Sequence, residues 1–176
     1  MHSKEELKGL AETHLTYEAH MLCHMSLRHE ELARAGIVAL DRWALLEASL
    51  VHARVLANFL DGPPKNPHPG DFFAIDFSPT WDTTTPTLPR AEIDAISKQI
   101  AHLNSKRRPG HGWQLLTLAE KVFTRVEELA ARIDDEELSA SLSGVSQIAT
   151  DFRAGLDRFR TLRAVSTTSP TIPNVT

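Results

Sequence analysis

The chain has 176 residues, 41% hydrophobic and 24% charged, which is the composition of a globular protein with a sizeable core. Its formal net charge of -4 argues against a protein that coats nucleic acid. Cys23 is its only cysteine, which excludes an intrachain disulfide and a cysteine metal cluster and favours a cytoplasmic location. Because the N-terminus is charged and no apolar run reaches membrane-span length, we expect neither a signal peptide nor a membrane partner.

Apolar spacing along the chain predicts an all-α protein with five helical segments. Ser3 and Glu6 match a capping box before the first segment, and Asp41 is the expected N-cap of the second. We therefore expect a single-domain antiparallel bundle of four to five helices over 1–165 and a disordered tail over 166–176. The five segments are 3–35, 41–61, 89–106, 113–133 and 137–163.

A long proline-rich connection separates the second and third segments. Its prolines exclude helix for the connection, and they are Pro63, Pro64, Pro67, Pro69, Pro79 and Pro86. It also carries apolar groups that a solvated linker would not need, namely Phe72, Phe73, Ile75, Phe77 and Trp81. Such a long connection is uncommon and often functional, so we expect an ordered loop that covers the bundle, with a short strand as an alternative.

The second segment is apolar almost all the way round, yet it carries Glu47, His52, Arg54 and Asn58. A helix with so little polar surface is usually central, and its charged groups must be paired or line a cleft. At about 100° per residue, Glu47, Arg54 and Asn58 share one face. His52 points the other way and is interpreted as a packed structural histidine.

The first segment carries His14 and Glu18 within its apolar stripe, four residues apart and therefore adjacent. One interpretation makes these residues and the Glu47–Arg54 face ordinary solvated or core-edge groups. The other encloses His14, Glu18, Glu47 and Arg54 between two facing helices, with Arg54 neutralising a buried carboxylate. In the second interpretation His52 and Asn58 complete the polar cluster.

A basic cluster follows the apolar stripe of the third segment. His102 and Lys98 lie on its polar face, and the cluster continues with Lys106, Arg107, Arg108 and His111. One interpretation is a solvated helix end whose cations complement the C-terminal dipole. The other is a phosphate-binding patch of Lys98, Lys106, Arg107 and Arg108, with His102 as proton donor or acceptor.

Three pieces of the chain, LLEASLVHARVLANFL at 45–60, DFFAIDF at 71–77 and ISKQIAHLNSKR at 96–107, resemble a family of small uncharacterised bacterial helical proteins. The resemblance covers roughly 40–107 and supports the helical fold. The positions that recur in that family correspond here to Glu47, His52, Arg54 and His102.

The third piece also resembles the HEPN superfamily of helical domains, many of which are metal-independent RNases or parts of toxin–antitoxin and antiphage systems. Their motif is an arginine, four to six intervening residues and a histidine, and it often ends in Ala-His, as Ala101-His102 does here. The positions five to seven residues before His102 hold Ser97, Ile96 and Ala95, and none of them is an arginine. The resemblance therefore implies a catalytic pair of His102 and Arg54, with Arg54 supplying the charge from the second helix.

These observations leave three functional hypotheses. The leading one is a non-enzymatic or regulatory binding module of the bacterial cytoplasm, acting as a homodimer or with a protein partner. The alternative is a HEPN-like endoribonuclease with RNA as its partner. The third is a metal-binding bundle using His14, Glu18 and Glu47, although no Glu-x-x-His pair occurs and Arg54 would repel a cation. No phosphate loop or nucleophile motif is present, so we expect no cofactor.

Overall fold

A computed structural model describes residues 2–37, 40–101 and 112–166 of the chain, with the backbone alone at 101 and 162–166. The described residues form helices joined by turns and irregular segments, without a strand among them, which confirms the all-α prediction. The predicted tail beyond 166 lies outside them.

The first long helix consists of α1 (Lys4–Leu10), a π-helical turn (Ala11–Leu15) and α2 (Thr16–Arg34), which follow one another without a break. The predicted capping box is confirmed, because Ser3 Oγ accepts from the Glu6 amide at 3.3 Å and Glu6 Oε2 accepts from the Ser3 amide at 2.7 Å. The helix ends before Gly36, whose φ of 68° favours glycine. The predicted extent of the segment therefore agrees with the structure.

The π-helical turn is the feature of this helix that periodicity did not predict. The Thr16 amide donates to the carbonyl of Ala11, five residues back, and the Thr16 hydroxyl donates to the same carbonyl at 3.0 Å. A π turn inserts one residue into the helical register, and such turns often accompany functional sites. Side chains before and after the turn are therefore offset from the positions that a regular 100° wheel assigns.

Helix α3 (Leu40–Asp61) packs most extensively against α2 and also contacts α5 and α6. It begins at Leu40, so Asp41 lies in its first turn and is not the N-cap that the sequence suggested. Its wholly buried stripe explains its central place, and the members are Leu50, Ala53, Leu56, Ala57 and Leu60. The helix ends before Gly62, which has a φ of 88°.

The long connection after α3 contains a short helix, α4 (Ala74–Phe77), so the exclusion of helix was wrong, and so was the alternative of a strand. The helix fits into the proline-free stretch between Pro69 and Pro79. Asp76 Oδ2 accepts from the Phe73 amide at 2.8 Å at the start of α4. Phe77 and Trp81 are buried, so this part of the connection packs on the helices.

The remaining helices are α5 (Arg90–Ala101), α6 (Leu115–Ala130), α7 (Glu136–Ser141) and α8 (Ser143–Ser166). The fifth predicted segment is thus divided at Leu142, where the Ser141 hydroxyl turns back to the Leu138 carbonyl at 2.7 Å. Helix α8 packs against α6 and α2, and the Phe123 and Phe152 rings lie 4.9 Å apart in that core. Residues 102–111, between α5 and α6, lie outside the described part of the chain.

Candidate ligand-binding cleft

A cleft of about 690 Å³ opens where the π-helical turn, the C-terminal end of α3, the connection after α3 and the start of α5 meet. We call it the cleft throughout. Its apolar walls come from all four of these elements and include Leu15, Val55, Phe59, Phe72, Phe73, Leu88 and Ile93. Val55 is 39% exposed, which is unusual for valine on a central helix and shows that the cleft is open to solvent.

Six polar side chains line the same cleft: His14, Glu18, Asn58, Asp61, Asp71 and Arg90. The set contains three carboxylates and one guanidinium. Arg90 lies at the rim, since its side chain is 86% exposed and its Nε is paired with Asp94 at 3.1 Å. The lining of the cleft therefore carries more carboxylates than cationic groups.

Glu18 connects the cleft to the α2–α3 interface. Its Oε2 lies 2.7 Å from His52 Nδ1, and both side chains are largely withdrawn from solvent. Because an ionised carboxylate can only accept hydrogen bonds, Nδ1 is the donor in that state. The Tyr17 ring packs edge-on against the imidazole, with centroids 5.8 Å apart. The contact fixes the position of Glu18 at the edge of the cleft.

The two aspartates of the cleft are also held by the backbone of the connection. Asp61 Oδ1 accepts from the Thr87 amide at 2.6 Å, and Asp71 Oδ2 accepts from the His68 amide at 2.8 Å. The first hydrogen bond joins the two ends of the connection, and the second holds Asp71 in a local turn. The carboxylates are therefore positioned before any ligand arrives, which lowers the ordering cost of binding.

The connection that forms one wall of the cleft is itself anchored. Trp81 Nε1 donates to the Leu60 carbonyl at 2.6 Å, and the Arg125 guanidinium lies 4.2 Å from the Trp81 ring centroid. Arg125 also donates to the Asp82 carbonyl at 2.8 Å. Hydrogen bonds from the Thr84 hydroxyl and amide hold the pKa of the Asp82 carboxyl well below its usual range. Because these hydrogen bonds and the cation–π contact hold the connection in place, the cleft is preformed.

The structure brings together only some residues of the predicted polar cluster. His14, Glu18 and Asn58 line the cleft, and His52 lies behind Glu18. Glu47 and Arg54, the pair favoured by the sequence, do not line it. Glu18 instead contacts His52, which the helical periodicity of the second segment placed on the side opposite Glu47 and Arg54.

Arg54 points instead to α5. Its guanidinium donates to Ser97 Oγ at 3.4 Å, and its Nε is buried without a hydrogen-bond partner. Lys98, the next residue of α5, is exposed. The other residues predicted to act with them, namely His102, Lys106, Arg107, Arg108 and His111, lie outside the described residues.

Sequence reasoning missed three polar residues of the cleft: Asp61, Asp71 and Arg90. The only signal was indirect, because Asp61 ends the second predicted segment and Asp71 is the first residue of DFFAIDF. Neither pattern indicates that two aspartates separated by nine residues of proline-rich chain will face one cleft.

Metal binding by His14, Glu18 and Glu47 finds no geometric basis. Across residues 2–37, 40–101 and 112–166, no three His, Cys, Asp or Glu side chains are grouped so that they could hold a metal ion. Cys23 is buried, and desolvation raises the pKa of its thiol to about 11, with the nearby Asp151 charge adding to the effect. The thiol is therefore a poor nucleophile and a poor metal ligand.

Comparison of the chain with protein-family models, with curated proteins and with solved structures finds no match. Among the helices described by the structure, none combines the length and the apolar character that a membrane crossing requires.

Proposed function

We propose that this chain is a non-enzymatic binding module and that the cleft is its ligand site. The observation that carries the proposal is the cleft itself. Its volume of about 690 Å³ lies within the usual range of small-molecule pockets. It combines apolar walls with a few convergent polar groups, which is the composition typical of such pockets.

The fixed positions of the polar groups support the proposal further. Glu18, Asp61 and Asp71 each have a hydrogen-bond partner that holds them in place without a ligand. As proposed, the protein is a single helical-bundle unit of the bacterial cytoplasm, closed by its proline-rich connection. Formation of a homodimer, or binding of a protein partner, would then depend on whether a ligand occupies the cleft.

A cleft-filling substitution tests this function directly. Val55→Trp places a large ring in the cleft, whereas Ile75→Trp adds the same ring at a partly exposed position of α4 that does not line it. Fragments that bind the parent protein in ligand-observed NMR should bind the Ile75→Trp variant and lose binding to the Val55→Trp variant. A library without such fragments, or fragments equally tolerant of both variants, would refute the function.

A HEPN-like endoribonuclease is the second candidate, and one contact favours it. The Arg54 guanidinium lies 3.4 Å from Ser97 Oγ, at one of the three α5 positions where the HEPN motif could carry its arginine. Ser97 precedes His102 by five residues. Arg54 could thus take the place of the missing arginine, with Lys98 and Lys106–Arg108 on phosphates.

RNA incubated with the protein in EDTA tests the second candidate. The parent protein should cleave, while His102→Ala and Arg54→Gln should each reduce the rate at least about a hundredfold, as expected for general acid–base catalysis. Arg158→Gln, which changes an exposed arginine of α8, is the matched charge control. Cleavage by His102→Ala at the parental rate would eliminate this candidate.

A further inference from the structure

We infer that the ligand of the cleft is a small organic cation, an amine carried on an apolar, ring-bearing body. The inference rests on the proposed binding function and specifies its ligand class. Three independent features of the cleft support it: the charge balance of its lining, the helix end that opens into it and the aromatic groups in its wall.

The charge balance favours a cation. Glu18, Asp61 and Asp71 contribute three carboxylates to the lining, and Arg90 contributes the single guanidinium. Arg90 is directed to the rim by its pairing with Asp94, so it does not neutralise the interior. An anion placed in the cleft would meet uncompensated like charge, whereas an amine would meet fixed hydrogen-bond acceptors.

The C-terminal end of α3 adds negative potential at the same place. Asp61 is the last residue of this helix, and Gly62, which follows it, also lines the cleft. A helix C-terminus carries a partial negative charge that a lysine or arginine in the last turn commonly complements. The last turn of α3 contains no basic residue. A bound amine would supply the cation that the helix end lacks.

Besides Arg90 at the rim, the N-terminal end of α5 favours an anion. Its effect is offset by acidic groups close to it. Glu92 lies in the first turn of α5 and is paired with Lys121 at 2.8 Å, and Asp94 is paired with Arg90. These carboxylates therefore already offset the partial positive charge at the N-terminal end of α5.

The walls define the rest of the ligand. Phe59 and Phe72 line the cleft with ring centroids 5.6 Å apart, and Phe77 packs behind both rings. Phe72 is only partly buried, so an aromatic face borders open space near Asp71 and Asp61. Apolar and aromatic walls favour burial of a ring, and an aromatic face beside carboxylates also favours a cation. A simple inorganic cation would leave these walls without a partner.

Calorimetric titration with three ligands that share a phenylethyl body and differ in their polar group tests the inference. The ligands are 2-phenylethylamine, 2-phenylethanol and 3-phenylpropanoate. The amine should bind the parent protein at least about tenfold more tightly than the neutral alcohol, because a charge-assisted hydrogen bond is worth more than a neutral one. The carboxylate should bind most weakly. Binding of the amine should be lost in Val55→Trp, which places it in the cleft.

Substitution of single carboxylates identifies which of them binds the amine. Asp61→Asn should weaken the amine about tenfold and leave the alcohol unchanged, since the asparagine oxygen can still accept from the Thr87 amide. Asp71→Asn, at an exposed residue, repeats the test where the fold is less at risk. Asp157→Asn, an exposed aspartate of α8 with a side chain 73% exposed, is the matched control and should bind like the parent.

The outcomes separate the ligand class from the function. An alcohol or carboxylate that binds in the cleft as tightly as the amine would overturn the cation and leave the binding function standing. An affinity for the amine that neither Asp61→Asn nor Asp71→Asn changes would likewise overturn the cation and leave the binding function standing. If none of the three ligands binds, the inferred class is wrong, and the fragment comparison of Val55→Trp with Ile75→Trp decides separately whether the cleft is a site.

Discussion

Two regions of this protein bury apolar side chains in different ways. In the pair formed by α6 and α8, Phe123, Phe152, Val122 and Val145 are almost wholly buried, while ion pairs such as Arg153–Glu127 lie outside the core. In the cleft, charged side chains lie among the apolar ones, and Val55 and Phe72 remain partly accessible. The difference follows from the neighbour of each helix. A facing helix presents a continuous row of side chains that interdigitate, whereas a proline-rich connection leaves space that polar groups can occupy.

The largest expected effect on stability comes from removing an aromatic ring from the core between α6 and α8. Phe152→Ala should lower the free energy of unfolding by about 3–5 kcal/mol, because it leaves a cavity that rigid neighbours cannot fill. Phe72→Ala, at the partly exposed wall of the cleft, should cost less than half as much. Urea unfolding of both variants measures the difference. Equal losses would show that the cleft wall is packed as tightly as the α6–α8 core.

The two helix-ending glycines give the next effect. Gly62→Ala should destabilise by about 2–3 kcal/mol, since its positive φ is disfavoured and its new Cβ would lie 2.7 Å from Thr83 Cγ2. Gly36→Ala shares the positive φ but meets no atom within 4 Å, so it should cost about 1 kcal/mol. Thermal unfolding compares them. Thr83→Ser, which removes the clashing methyl, should recover part of the Gly62→Ala loss, and no recovery would contradict the clash.

A smaller effect tests the contact beside the cleft. A double-mutant cycle of Glu18→Ala and His52→Ala should give a coupling energy of about 1 kcal/mol, because their hydrogen bond is partly buried. The same cycle on Lys4 and Asp135, a pair at 2.9 Å on the exposed surface, should give no measurable coupling. Urea unfolding of seven proteins, the shared parent and three variants for each pair, provides both cycles. Absence of coupling at Glu18 and His52 would mean that this contact does not hold the carboxylate in place.

The smallest effect concerns reactivity and leaves stability unchanged. Burial raises the pKa of the Cys23 thiol from 9.0 to about 11, so at pH 8 the thiolate fraction falls about a hundredfold relative to an unperturbed thiol. Reaction with a thiol reagent should be slower by that factor in the native protein and should accelerate as the pH rises towards 11. The urea-unfolded chain is the control. Equal rates in the two states would place Cys23 on an accessible surface.

Local patterns in the sequence determined the helices. Periodicity located the first segment, the second segment and the α6 region to within a few residues, and the capping box of Ser3 and Glu6 formed as predicted. These features depend on groups three or four residues apart along the chain, which is the range in which sequence patterns carry information. The π-helical turn was not predicted because the periodicity was assessed with a regular step of about 100° per residue.

Only the tertiary structure decided which polar groups meet. Glu18 and His52 are separated by 34 residues, and their contact depends on how α2 is rotated against α3. Asp61 and Asp71 share the cleft because the connection folds back on α3, where Thr87 and Trp81 donate hydrogen bonds that no periodic pattern encodes. The sequence alone established that α3 is central and that its charged groups need partners. It could not assign those partners, because the rotation of one helix against another is set by packing across the whole core.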